Sequence, residues 1–149
     1  MNQNHSFNTH LATRIGIEKA ILLKNIAYWV ENNKYQNKNF FDDKYWTYNS
    51  SVNYAKQFPY MKASSIRRWM TELEAQGWII TGNFNSSGFN QTKWYTIGIT
   101  YYWWMVEFAD FVKNEAKEVL DSGFGQTNNH GRSGKKEAPA KDHFKPHIE

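Results

Sequence analysis

Residues 61–80 read MKASSIRRWMTELEAQGWII, and their spacing decides what the segments around them must be. Ile66, Met70 and Leu73 recur at steps of four and three, so they share one face of an α-helix and turn toward a core. Lys62, Ser64, Arg67, Arg68 and Thr71 are left on the outer faces. Good helix formers continue through residues 72–76, and Gly77 is the residue best able to take the left-handed conformation that ends a helix. Trp78, Ile79 and Ile80 follow at once with the character of a strand. The first turns carry the cations Lys62, Arg67 and Arg68 and the hydroxyls Ser64, Ser65 and Thr71, while the acids Glu72 and Glu74 come only later. Such a helix is suited to pointing its N-terminal end at phosphates and base edges. Lys and Arg are also ordinary on solvated helix faces, so the neighbours must decide.

Upstream, the aromatic and β-branched second half of residues 40–48 predicts a short strand. Asn49, Ser50 and Ser51 offer N-caps for a short helix through Phe58, which Pro59 stops. A helix, a tight turn with Pro and a second helix make a helix-turn-helix arrangement. Downstream, residues 78–84 and 92–98 read as strands joined by the turn-like NSSGFNQ of 85–91, a plausible wing. With a helix over 15–33 and a polar loop over 32–39, the order is helix, strand, helix, helix, strand, wing, strand. The expectation is an α+β, mainly α, winged helix-turn-helix.

The helix over 15–33 is apolar over more than one stripe, with Ala20, Leu22, Leu23, Ile26, Ala27, Trp29 and Val30, and must be covered on more than one side. A further aromatic-rich helix is expected over 100–120, where Tyr101, Met105, Phe108, Val112 and Val119 alternate by four and three. Two readings of that stripe stay open: packing within the subunit, or a dimer seam formed by Tyr101, Trp104, Met105, Phe108 and Val112. Trp103 and Val106 lie off it and would need a partner if exposed. Residues 1–13 are expected to form a flexible arm, 14–120 the domain, and 121–149, rich in Gly, Asn, Lys and His, a disordered tail.

With 149 residues the chain can bury one real core. Its mean hydropathy of -0.78 coexists with 7 Trp, 9 Tyr and 10 Phe, so the apolar content is unusually aromatic. The formal net charge of +4 resides between Lys44 and Thr96, where Lys44, Lys56, Lys62, Arg67, Arg68 and Lys93 face only Glu72 and Glu74. That distribution favours a nucleic-acid partner. The absence of cysteine excludes disulfides and thiolate metal sites. A polar N-terminus, MNQNHSFNTH, and short apolar runs lead us to expect no membrane partner and a place in the cytoplasm of a bacterial host.

The run YWTYNS (45–50), QFP (57–59), IRRWMTELEAQGWII (66–80), GNFN (82–85) and GFNQTKWYTIG (88–98) closely resembles the N-terminal winged-helix domain of phage and prophage replication proteins, the replisome organisers related to primosomal DnaD-type proteins. The resemblance covers residues 15–98. It implies binding of origin DNA or self-association, with a host or phage replication protein as a further partner. The segment IRRWMTELEAQGW also resembles the second helix of many bacterial winged-helix transcription regulators.

For double-stranded DNA, Arg67 and Arg68 are the foremost candidates, because Arg can pair bidentately with guanine in the major groove. Lys62, Ser64 and Ser65 are suited to phosphates, as are Lys56 and Lys44. Lys93 and the wing residues Asn85, Ser86, Asn90 and Gln91 could reach backbone or minor groove. Trp46, Trp69, Trp78 and Trp94 read as packing residues rather than stacking platforms. No catalytic constellation, cofactor fingerprint or metal-ligand spacing emerges: Asp42 and Asp43 point to opposite sides if extended, and Pro146 disrupts any helix that would align His143 and His147. A binding protein is expected rather than an enzyme. The resemblance implies a role in replication initiation or transcription regulation, with a phage protein-interaction module that inhibits a host complex as the alternative from another class.

Overall fold

The computed structural model describes residues 4–122, an α+β chain dominated by helix with two small antiparallel sheets. It divides into two compact units after Tyr101. The first begins with α1 (Thr9–Ile15), started by the Asn8 side chain, which accepts from the Leu11 amide at 3.0 Å, and anchored by the buried Leu11. The expected arm over residues 1–13 is therefore helical from Thr9 on. A single apolar residue behind a side-chain cap holds it, too short a signal for periodicity to detect.

Gly16, at φ 95°, separates α1 from α2 (Ile17–Tyr35). Ala20, Ile21, Leu22, Leu23 and Ile26 are buried along α2, which accounts for the wide apolar face. Its last turns depart from the sequence reading. Trp29 is 41% exposed, and the polar Asn33 is buried in its stead. The Asn33 amide donates to the Trp46 carbonyl at 2.8 Å, so a buried backbone acceptor with no strand partner is satisfied by a helix side chain.

Two strands, β1 (Phe40–Phe41) and β2 (Lys44–Tyr45), form a hairpin in which Phe40 faces Tyr45 and Phe41 faces Lys44. Asp42 and Asp43 make its two-residue turn with φ 52° and 59°, the positive values that a primed hairpin turn takes at both centres. The three-stranded sheet comprises β3 (Thr47–Asn49), β4 (Ile79–Gly82) and β5 (Lys93–Ile97) in the order β3-β5-β4, every neighbour antiparallel. Between β3 and β4 lie α3 (Ser51–Gln57) and α4 (Ala63–Ala75). Ser50 caps α3 by accepting from the Asn53 amide at 3.1 Å, and α4 buries Ile66, Met70 and Leu73, as its spacing predicts.

Gly77 turns the chain out of α4 at φ 81°. Gly98 then closes on it at backbone contact: its amide donates to the Trp78 carbonyl at 2.9 Å, and a β-carbon at position 98 would stand 2.2 Å from the Gly77 oxygen. The Thr100 amide donates to that same Gly77 oxygen at 3.0 Å, and the Thr100 hydroxyl to the Gln76 carbonyl at 2.8 Å. The end of α4, the sheet and the first turn of the last helix are thus locked through main chain. Leu22, Leu23, Ile26, Tyr54, Phe58, Ile66, Leu73, Trp78 and Ile79 are the largest fully buried side chains of this core. Trp46, Trp78 and Trp94 are buried too, in keeping with their reading as packing residues.

In the second unit α5 (Ile99–Asp121) continues as one helix, with Trp104 and Phe108 stacked at 5.2 Å and an interplanar angle of 10°. The tail expected over 121–149 lies, from residue 123, outside the described residues. Among the described residues no helix is long and apolar enough to cross a membrane.

Candidate nucleic-acid interface

At 100° per residue, Ser64, Arg67, Arg68 and Thr71 fall within an arc of about 100° on α4, opposite the buried Ile66, Met70 and Leu73. All four are exposed. Ser65 sits a quarter turn away and is half-buried, while Lys62 is exposed at the N-cap and makes no side-chain capping bond. No acid lies in the first turn, so the partial positive charge of the helix start and the side-chain cations reinforce one another.

The two arginines are held differently. Arg67 donates from Nη1 to the Ser51 hydroxyl at 3.0 Å, which ties the arc to the first residue of α3. Arg68 lies 5.5 Å above the Trp69 ring and 3.8 Å from the Glu72 carboxylate one turn on. Glu72 is committed elsewhere, since Lys19 of α2 reaches it at 2.6 Å. The hydrogen bond from Lys19 is the main cause that holds its carboxyl below the usual carboxylate range. Arg68 therefore shares its acid with a closer cation, and its charge is only partly balanced. The Thr71 hydroxyl is turned back to the Arg67 carbonyl at 3.0 Å.

Asn85 organises the loop over 83–92 rather than pointing out of it. Its amide nitrogen donates to the Asn90 and Thr92 carbonyls at 2.9 and 2.8 Å, and its oxygen accepts from Trp94 Nε1 at 2.9 Å. Asn90 in turn accepts from the Thr92 amide at 3.0 Å. Ser86, Gln91 and the almost fully exposed Phe89 remain on the outer surface. The base of this loop rests on a ring cluster that pattern reading did not anticipate: Phe84 stacks on Phe41 at 4.7 Å, with Trp46 and Trp94 at 4.7 and 5.8 Å. These rings come from the hairpin, the segment before β3, and the two ends of the loop, so no single stretch could reveal the cluster.

The remaining cations are spread out. Lys93 is exposed at the start of β5, opposite Asn49, and Lys44 is exposed on the β1–β2 hairpin. Lys56 opens onto a separate cleft between α2 and α3. On α5, Met105 and Val112 are exposed along the stripe that holds Tyr101 and Phe108, and Tyr102, Trp103 and Val106 are exposed off it. No group of three or more metal-ligating His, Asp or Glu side chains occurs among the described residues. Comparison of the chain with protein-family models, with curated proteins and with solved structures finds no match.

Proposed function

We propose that the chain is a winged-helix protein that binds double-stranded DNA, with α4 entering the major groove and the loop over 83–92 acting as the wing. The reading rests on one observation above all: the exposed arc of Ser64, Arg67, Arg68 and Thr71 at the acid-free start of a helix, braced by α3 through Ser51. The helix, strand, helix, helix, strand, loop, strand order and the β3-β5-β4 arrangement support the fold assignment. Arg67 and Arg68 read base edges; Lys62, Ser64, Ser65 and Lys93 hold phosphates and set register. Asn85 shapes the wing, and Ser86 and Asn90 are exposed on it beside the turn centred on Gly88 and Phe89. The chain acts as a homodimer through Tyr101, Met105, Phe108 and Val112; Trp104, also expected in that seam, is buried at 5% relative exposure and does not take part. Its setting is replication initiation in a phage or other mobile element, beside a host or phage replication protein; a transcription regulator would use the same face.

Selection from a random duplex library at two salt concentrations tests this. The wild type should enrich a motif repeated about one helical turn apart, roughly 34 to 36 Å, and Arg67→Ala/Arg68→Ala should lose it. Salt-sensitive binding with no motif would refute sequence recognition. A second reading, a protein-interaction module that inhibits a host complex, draws on the exposure of Tyr102, Trp103 and Val106. It predicts that activity survives the arginine double variant and is lost in Trp103→Ala.

A further inference from the structure

The first unit contains an open cleft of about 1040 Å³ between α2, β3 and α3, formed by residues that are far apart in sequence. Three lysines line it, Lys24, Lys38 and Lys56, one from each of three segments, and no carboxylate is among its described lining residues. None of the three is in an ion pair among the described residues. Lys24 donates to the Ser6 hydroxyl, a neutral partner that leaves its charge uncompensated. The walls also carry two partly exposed rings, Tyr28 at 60% and Trp29 at 41% relative exposure, in edge contact at 5.2 Å, whereas the Tyr48 ring packs on its cross-strand neighbour Trp94 at 4.5 Å. Asn25, Asn53 and Gln57 add amide donors and acceptors. None of these groups is among the residues that make up the α4 face.

We infer that this cleft binds a single-stranded nucleic acid, with backbone phosphates on the lysines and unpaired bases against Tyr28 and Trp29. The charge selects a polyanion, since uncompensated cations line a concavity without acids. The rings choose among polyanions. A duplex keeps its base faces stacked inside, whereas an unpaired strand offers each base as a π-face, and aromatic side chains in a positively charged groove are the usual platform for it. Amides beside the rings supply hydrogen-bond partners for base edges. The volume lies at the upper end of the range of about 300 to 1,000 Å³ typical of single small-molecule sites, room for more than one nucleotide unit. The inference is independent of the duplex-binding face on α4.

Fluorescence anisotropy of the full chain with labelled dT12 and with a 12-base-pair duplex tests it. Trp29→Ala and Tyr28→Ala should each weaken dT12 binding about 5- to 160-fold, the effect of losing one stacked base. Lys24→Gln/Lys38→Gln, at exposed positions that carry no core packing, should lower the slope of log affinity against log salt by about 1.4, two single-strand phosphate contacts. Arg67→Ala/Arg68→Ala should leave dT12 binding within about twofold, because it does not touch the cleft. If dT12 affinity is indifferent to the ring variants and to the lysine pair, the inference is overturned. It is overturned equally if polyglutamate of matched charge displaces dT12 as well as unlabelled dT12 does, which would reassign the cleft to an acidic protein segment. A chain that fails the duplex selection but binds dT12 through these residues would sink the α4 proposal and leave this one standing.

Discussion

Replacing Gly98 with alanine should be among the most damaging single-methyl additions in the chain, and the structure sets the size of the loss. The new β-carbon would stand 2.2 Å from the Gly77 oxygen, 2.9 Å from the Gly77 carbonyl carbon and 3.1 Å from the Trp78 carbonyl carbon. All three are main-chain atoms, so no side chain can rotate away. Relief requires the strands to part by about 1 Å, the shortfall from ordinary van der Waals contact. That movement acts on the 2.9 Å bond from the Gly98 amide to the Trp78 carbonyl and on the 3.0 Å bond from the Thr100 amide to the Gly77 carbonyl. Overpacking of this kind costs about 1–3 kcal/mol, and each strained hydrogen bond adds about 0.5–1.5 kcal/mol. A total of about 2–6 kcal/mol is a large part of the roughly 5–15 kcal/mol that holds a domain folded. Urea denaturation followed by tryptophan fluorescence, with a slope of about 1–3 kcal/mol per molar, should show the midpoint fall by at least about 0.7 M. Gly88→Ala is the control: its β-carbon would meet nothing within 4 Å, so its midpoint should stay at that of the wild type. Equal midpoints for the two variants would refute the claim that the junction of α4, β5 and α5 is closed at backbone contact.

Arg67→Ala should weaken binding to a selected duplex by about 1–3 kcal/mol and relax preference at one base position, whereas Lys62→Gln should weaken all duplexes alike and reduce the salt slope by about 0.9; titration at several salt concentrations separates the two. In Asn85→Ala the buried Trp94 indole loses its acceptor and the loop its cross-links, a loss of about 1–3 kcal/mol, with faster amide exchange over 86–91; unchanged exchange there would show that Asn85 does not organise the loop. Alkali should unfold the protein through its buried phenols: burial pushes Tyr95 up from 10.0 to about 12, and Tyr54 higher still, so both favour the neutral native form. Their contribution is complete below the unfolded value near 10 and is lost as pH rises through the folded values, at about 1.4 kcal/mol per pH unit for each proton. Tyr54→Phe should remove one proton's share of that slope, measured by urea midpoints between pH 9 and 11, and an unchanged slope would contradict the assignment.

What spacing and caps determine came through in the sequence. Ile66, Met70 and Leu73 announced the buried face of α4, and the same three-and-four rhythm left Ser64, Arg67 and Arg68 outward, because an α-helix with a core on one side allows nothing else. Ser50 as a cap, Gly77 as a stop and two strands flanking a turn-rich loop are likewise local chemistry, legible one segment at a time. Local chemistry also sets elements too short for periodicity to report. Asn8 and Leu11 start a helix inside the expected arm, and Asp42-Asp43 makes a hairpin turn just before the strand expected over the second half of residues 40–48.

Tertiary structure alone decided the partners. Asn33 is buried, though it lies in a polar run, because the Trp46 carbonyl needs a donor that no strand provides. Asn85 faces inward because Trp94, nine residues on, brings an indole N–H against it. Lys56 leaves the α4 face and joins Lys24 and Lys38 at a cleft whose walls come from three separate segments. Periodicity reports which residues share a face of one element. Which faces meet depends on how the elements pack, through contacts between residues that no local window contains.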